Sequence, residues 1–259
     1  MKAARTDWLD NPKPLPDRRM VVAIGDVHGC AEHLEAMYQA LAEDIARLHP
    51  EETTCVLLGD LVDRGPNALD CLGLAMDGLQ AFTRGATVED ITLLGNHDVW
   101  LKQAVERRLS EEDARVWAYN GGDKTFASLG IPPLSAPDEL SAAIRAKLPE
   151  EVASWLGGMR LNHRVGDLLF VHAGVDPRRP LEDQSEHAQL WIRDAFLHAE
   201  DWPFEVLVIH GHTVEAPQDQ PEIFPHRIGI DTGAFATGVL TAVEFVGASM
   251  RFVTVDSRE

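Results

Sequence analysis

Basic residues, cysteine and long apolar runs are all scarce in this chain. Among 259 residues, 23 are Lys or Arg against 42 Asp or Glu, a formal net charge of -19 at pH 7. Such a field repels a nucleic-acid backbone and excludes sequence-independent grip on DNA or RNA. Phosphate chemistry stays open only where a local centre supplies positive charge. The 3 cysteines, Cys30, Cys55 and Cys71, form no C-x-x-C pair. That argues against a zinc knot or disulfide framework and for the reduced thiols of a cytoplasm. No apolar run approaches the ~20 residues of a membrane helix, so no membrane partner is expected. Met1 to Arg19 is broken by Pro12, Pro14 and Pro16 and lacks the apolar core of a signal peptide. It reads as an extended lead-in, and a cytoplasmic location is expected. The rest, with 45% hydrophobic and 25% charged residues overall, is ordinary for a globular protein with one large core.

A unit repeats three times in the first half. Val21-Val22-Ala23-Ile24 ends in Gly25-Asp26, Cys55-Val56-Leu57-Leu58 in Gly59-Asp60, and Ile91-Thr92-Leu93-Leu94 in Gly95-Asn96. Each is followed by apolar residues at helical spacing: Leu34, Tyr38, Leu41, Ile45 and Leu48; Leu69, Leu72, Met76 and Leu79; Leu101, Val105 and Leu109. Short runs without alternation predict strands buried on both faces, joined by helices as parallel units. Strand signals fade from Asn120 to Gly158, where Pro149 opens a helix that Gly157-Gly158 closes. They resume at Leu168 to Val171, Val206 to Ile209, Arg227 to Ile230, Val239 to Phe245 and Arg251 to Val255. The expected fold class is α/β, a four-layer arrangement of two mixed β-sheets packed as a sandwich and flanked by helices. Residues 20–259 are read as one domain with a helical insert at about 120–160.

Five segments place Asp, Asn or His beside Gly at the end of an apolar run. They are Gly25-Asp26-Val27-His28-Gly29, Gly59-Asp60-Leu61-Val62-Asp63-Arg64-Gly65, Gly95-Asn96-His97-Asp98, Val171-His172-Ala173-Gly174 and Gly211-His212-Thr213; Asp231-Thr232-Gly233 follows. Glycine allows a sharp turn and leaves room for an ion beside the main chain. Mixed imidazole and carboxylate ligands suit Mn, Fe or Zn better than Ca or Mg. In open α/β sheets this strand edge is where ligands bind.

The ordered set GD-x-HG, GD-x-x-DRG, GNH, H-A-G and GH, within Gly25 to Gly233, resembles the phosphoprotein phosphatase branch of the calcineurin-like metallophosphoesterases, of the bacterial serine/threonine protein phosphatase type. The resemblance implies two divalent metal ions, with manganese expected. Asp26, His28 and Asp60 would hold one; Asp60, Asn96, His172 and His212 would hold the other, with Asp60 bridging. Two carboxylates and a bridging hydroxide under two dications leave a net positive centre on an acidic chain. The implied chemistry is direct in-line attack by that hydroxide, without a phosphoenzyme. Arg64, Arg193 and Asn96 would bind phosphate oxygens, and His97, oriented by Asp63, would protonate the leaving alkoxide. Arg193 has an alternative reading as a helix-surface residue paired with Asp194 or Glu186. Asp231 is expected to order the site edge, and His210 to point into core packing on the far side of its strand. His33, His49, His163, His187, His198 and His226 are expected at the surface or in packing. Trp117, Tyr119 and Asn120-Gly121-Gly122-Asp123 resemble a segment near the metal centre of bacterial members, which implies either a lid or substrate rim or a core helix end, and Cys30 suits a small buried filler.

Three functions follow: a serine/threonine (or also tyrosine) protein phosphatase, a hydrolase of diadenosine tetraphosphate or nucleotide caps, and a silent binder that keeps the fold. The full ligand set disfavours the last. Asp63 favours the protein phosphatase, because related diadenosine tetraphosphatases commonly read GDLVARG at this motif. Asp98, where protein phosphatases usually carry Glu, and Val214, where they carry Pro, point the other way. The expected partner is a phosphorylated protein or a small phosphoester, and basic phosphopeptides suit the acidic surface. Specificity is expected in residues 120–158 and in the loop from Pro177 to Gln189.

Overall fold

The three apolar runs of the first half become adjacent parallel strands because both of their faces are buried. The computed structural model describes residues 1–132, 136–214 and 217–258. Its strands are β1 (Lys2–Arg5), β2 (Leu9–Asp10), β3 (Arg19–Ile24), β4 (Glu52–Leu57), β5 (Val88–Thr92), β6 (Asn162–Val165), β7 (Leu168–Val171), β8 (Leu207–His210), β9 (Glu222–Ile223), β10 (Arg227–Gly229), β11 (Val239–Val246) and β12 (Ser249–Asp256). One sheet runs β1-β12-β11-β3-β4-β5, with β2 also on β12; the other runs β6-β7-β8-β10-β9. β3, β4 and β5 are parallel, as are β7, β8 and β10, and every other pairing is antiparallel. Both sheets are therefore mixed, as expected.

Alternate side chains explain the layers. Val21, Ala23, Val56 and Leu58 face inward and meet Leu168, Phe170, Leu207, Ile209 and Ile228 of the other sheet. Their neighbours Val22, Ile24, Cys55 and Leu57 face a helical layer. That layer holds α1 (Ala31–Leu48), α2 (Ala68–Asp77), α3 (Asn96–Val105), α4 (Glu111–Trp117), α5 (Asp123–Ser128), α6 (Pro137–Lys147) and α7 (Glu150–Gly157). In α1, Leu34, Tyr38, Leu41 and Ile45 are buried at the expected spacing, and the helix stops where His49 turns left-handed. Helix α6 has Pro137 in its first turn, with Asp138 and Glu139, and Arg145 and Lys147 in its last, charges that complement the helix dipole. On the far side, Phe196 and Leu197 of α9 (Asp194–Leu197) cover Leu169, Val171 and Val208, just beyond α8 (Glu186–Trp191). A last short helix, α10 (Ala234–Thr237), precedes β11.

Two differences from the sequence reading stand out. Residues 1–19 are extended but belong to the first sheet: Lys2–Arg5 pairs with Val253–Asp256, and Leu9 and Asp10 pair with Met250 and Ser249. Leu109 lies beyond the end of α3 and Leu79 beyond α2, although both are buried. Among the described residues no helix is long and apolar enough to cross a membrane.

Candidate metal centre and active site

Each functional side chain sits just past the C-terminal end of a parallel strand, in a turn that its glycine permits. The turns after β3, β4 and β5 carry Asp26 and His28, Asp60, and Asn96 and His97; those after β7 and β8 carry His172 and His212. Among the described residues, eight non-glycine residues have positive φ, and five belong here: His28 (44°), Asp60 (50°), Asp63 (70°), Arg64 (65°) and His212 (64°). Side chains rarely adopt this region without a compensating constraint, and such strain concentrates at functional sites. The constraint is a mesh of hydrogen bonds between turns. The backbone N–H of His28 donates to Asp60 O (2.8 Å), that of Gly211 to His172 O (2.8 Å), that of His97 to Asp60 Oδ1 (2.9 Å) and that of His212 to Asp26 Oδ2 (3.1 Å). Close approach requires glycine at two points. A Cβ on Gly95 would fall on the backbone N and Oδ1 of Asp60, and one on Gly211 would fall on Asp26 Oδ1.

The polar atoms face one another without enough protons. His28 Nδ1 donates to Val62 O (2.8 Å) and His172 Nδ1 to Leu58 O (2.9 Å), which leaves both Nε2 lone pairs aimed into the cluster. Burial holds these rings neutral: it lowers the His28 pKa to about 3, and with His172 beside it that of His212 to about 2; His172 is lowered too. The bare Nε2 of His172 therefore stands 2.8 Å from Asn96 Oδ1 and 3.5 Å from Asp60 Oδ1, acceptor against acceptor. Asp26 Oδ1 and His212 Nε2 are buried with no hydrogen-bond partner among the described residues. Burial, Asp231 and Asp60 push the Asp26 carboxyl well above its ordinary range. Burial also acts upward on Asp60, but His172, His97 and His28 bring it below the usual range. Crowded carboxylates and inward lone pairs are what divalent cations relieve, so the donor set fits the implied metals.

Ligand atoms fall within 4.8 Å of one another in two groups that share Asp60: His28, Asp60 and His97, and Asp60, His172 and His212. Asn96 joins the second by accepting from His212 Nδ1 (2.9 Å). Asp26, expected beside His28, lies next to these groups, with Oδ2 accepting from the His212 backbone N–H (3.1 Å) and Oδ1 left open, and His97 joins His28 and Asp60 in the first group.

His97 and Asp63 form a dyad. His97 Nδ1 donates to Asp63 Oδ2 at 2.6 Å, and Nε2 is turned toward Arg64. Burial works against a charged His97, but Asp60 and Asp63 outweigh it and raise its pKa. Asp63 is buried and held by groups without a motif of their own: Thr125 Oγ1 donates to Oδ1 (2.6 Å), and Trp117 Nε1 donates to both oxygens (2.9 and 2.8 Å). Trp117 is thus a core helix end, while Tyr119, two residues on, is 92% exposed. Arg64 donates to His28 Nε2 (2.7 Å) and His97 Nε2 (3.0 Å). Arg64 and Arg193 both line a 110 Å³ cavity over the cluster, with Asp60, Asn96, His97 and His212. Arg193 donates to Thr213 Oγ1 (3.3 Å), and among the described residues it forms no ion pair with Asp194 or Glu186. Asp231 Oδ1 accepts from Gly233 N–H (2.9 Å) at the edge of the site, and His210 packs its ring on Phe196 (5.1 Å) away from it. Cys30 is buried.

The calcineurin-like phosphoesterase family model matches residues 20–226. The symmetrical bis(5'-nucleosyl)-tetraphosphatase of Methylococcus capsulatus is 26% identical over 226 residues, 87% of this chain and 65% of that protein's length. The chain thus spans less than two thirds of that relative, and less than half of others bearing the same name. Serine/threonine-protein phosphatase 1 of Salmonella typhimurium is 28% identical over 233 residues, 86% of this chain and 90% of its own length. A solved structure provisionally named a diadenosine tetraphosphatase superposes with a TM-score of 0.60 at 22% identity, covering 95% of each chain, a likeness of fold. Since the matched stretch carries every strand-end turn that builds the cluster, the chain belongs to the calcineurin-like phosphoesterase family.

Proposed function

We propose that this chain is a dinuclear-metal hydrolase of nucleotide anhydrides, of the dinucleoside tetraphosphate class. The observation that carries phosphoryl chemistry is the cavity itself, where two arginines without a carboxylate partner among the described residues overlook a cluster of buried metal-ligand atoms. Two guanidinium forks suit a chain of several phosphates on a protein that otherwise repels them. The tetraphosphatase name recurs among the relatives and favours this class over the protein phosphatase preferred from sequence.

Asp26, His28 and Asp60 on one side, and Asp60, Asn96, His172 and His212 on the other, would hold the two ions, with manganese the proposed metal. Divalent ions there would polarise the phosphoryl oxygens and lower the pKa of water. Arg64 and Arg193 would orient the phosphate chain. His97 would deliver the proton from Nε2 to the leaving oxygen as the P–O bond breaks, and Asp63 would hold its ring through Nδ1.

One observation favours a second reading, the protein phosphatase. A serine alkoxide is a poor leaving group that needs an acid, whereas a nucleoside diphosphate leaves readily, and the His97–Asp63 dyad is intact. The test is a paired one. Protein stripped with chelator and reloaded with Mn²⁺ is offered diadenosine tetraphosphate and a phosphoserine peptide, and initial rates are compared. Faster cleavage of the nucleotide into two equal halves is expected; faster release of phosphate from the peptide would reverse the order of the readings.

A further inference from the structure

Beside the metal cluster lies a second cavity, of 400 Å³, whose walls include Arg64, Tyr119, Asn120, Lys124 and Phe235. Arg64 and Asn120 also line the cavity over the cluster, so the two spaces share a wall at the guanidinium that faces His97. A phosphate held by Arg64 would stand at the boundary of the two spaces.

Two exposed aromatic residues line it, Tyr119 and Phe235. Tyr119 is 92% exposed in a π-type turn, Ala118–Gly122, that is pinned from both ends. Trp117 below it is buried against Asp63, and the Arg64 backbone N–H donates to Gly121 O (3.1 Å). Gly121 has φ 104°, and a Cβ there would lie 2.8 Å from Arg64, so the turn lies against Arg64 as closely as only glycine allows. Phe235, on α10, is 42% exposed; its ring stands 5.3 Å from that of His28 and 4.9 Å from the Arg64 guanidinium carbon. Single exposed apolar residues are ordinary. Two rings on one cavity, Tyr119 on the turn tied to Arg64 and Phe235 against His28 and Arg64, suit a stacking platform. At the rim, exposed Asp123 and Lys124 (3.5 Å apart) offer an acceptor and a donor to a base edge or a ribose.

We infer that this cavity is the subsite for a nucleobase of the substrate, with Tyr119 and Phe235 as its stacking faces and Tyr119 as a residue that determines specificity. The inference rests on the nucleotide-anhydride reading above. Its volume is at the lower end of the range common for small-molecule sites, enough for one nucleoside and not for a folded peptide.

The test compares kcat/KM for diadenosine tetraphosphate and for inorganic tripolyphosphate, which has the same anhydride bonds and no base, using the Mn²⁺-reloaded full chain. In Tyr119→Ala the preference for the nucleotide falls on the order of 10- to 100-fold, chiefly through KM, as loss of one base stack implies. Tyr119→Phe keeps the preference, and Phe235→Leu lowers it. Tyr119 is so exposed that its replacement leaves folding intact, which circular dichroism checks. If the wild type cleaves the nucleotide and the preference is unmoved by Tyr119→Ala, the subsite is wrong and the nucleotide reading stands. If the wild type cleaves only phosphopeptides, both are wrong.

Discussion

Asp63→Asn removes one charge from a buried position without changing its size. The carboxylate accepts from His97 Nδ1, Thr125 Oγ1 and Trp117 Nε1. An asparagine presents one oxygen and one NH₂, so a donor will face either the indole or the imidazole. That mismatch costs stability on the order of 1–3 kcal/mol, which a domain of this size tolerates. The effect on His97 is larger in kind. Burial lowers its pKa, and the opposing upward pull comes from Asp60 and Asp63. With Asp63 neutral, the His97 pKa falls, and with the ring in its proposed role as the acid, activity is lost at lower pH. The descending limb of the pH–rate profile for kcat therefore moves to lower pH. A positioned general acid contributes roughly 10²- to 10⁴-fold. Phenyl phosphate, whose leaving group needs the proton, should lose about that much, and p-nitrophenyl phosphate, whose leaving group does not, less than about tenfold. Both substrates are assayed against pH after Mn²⁺ reloading, with metal content measured to confirm that the variant still binds it. Equal losses on the two substrates, or an unmoved limb, would refute a proton-donating His97 held by Asp63.

Three further perturbations separate the parts of the site. Gly211→Ala drives a methyl group onto Asp26 Oδ1, so Mn²⁺ affinity measured by titration calorimetry should fall tenfold or more, on the order seen when ligand-supporting groups are changed, while the fold persists. Arg193→Ala removes a guanidinium whose protein contact among the described residues is a 3.3 Å bond to Thr213, so KM should rise roughly 10- to 100-fold with little loss of thermal stability. Glu244, buried beside Asp44 and bonded to Arg251 (2.6 Å), has its pKa raised to about 7, by burial first and Asp44 second. The folded state thus binds a proton that the unfolded state has already released, so wild-type stability should decline as pH rises from about 4.5 to 7. Thermal melts of Glu244→Gln across that window should show a shallower decline; an unchanged slope would place the titration elsewhere.

The strands that build the site were legible because burial on both faces leaves an apolar run, as in Val21 to Ile24 and Leu168 to Val171. The edge strands were not. Lys2–Arg5 and Asn162–Val165 carry charged and polar residues on half-buried or exposed positions, and Glu222–Ile223 spans two residues. The cluster itself was legible from its ordered motifs, since each candidate ligand sits within two residues of a glycine at a strand end. The supports of Asp63 were only partly so: Trp117 stands out in the sequence without its partner, and Thr125 does not, because the two reach Asp63 from 54 and 62 residues away and no local spacing ties them to it. The placement of Asp26 likewise depends on the His212 backbone, 186 residues distant. Tyr119 looks like any aromatic near a helix end; its meaning comes from the pinned turn and from Phe235 on the same wall.

The proposed chemistry depends on two ions held at the shared Asp60 cluster. Chelator-stripped protein titrated with Mn²⁺, with bound metal counted by mass spectrometry and diadenosine tetraphosphate cleavage followed in parallel, tests it directly. Two ions per chain, with turnover reaching its full value only at the second and both lost in Asp60→Asn, is the predicted result. Full turnover in the presence of chelator, or an Asp60→Asn variant that binds and turns over like the wild type, would contradict it.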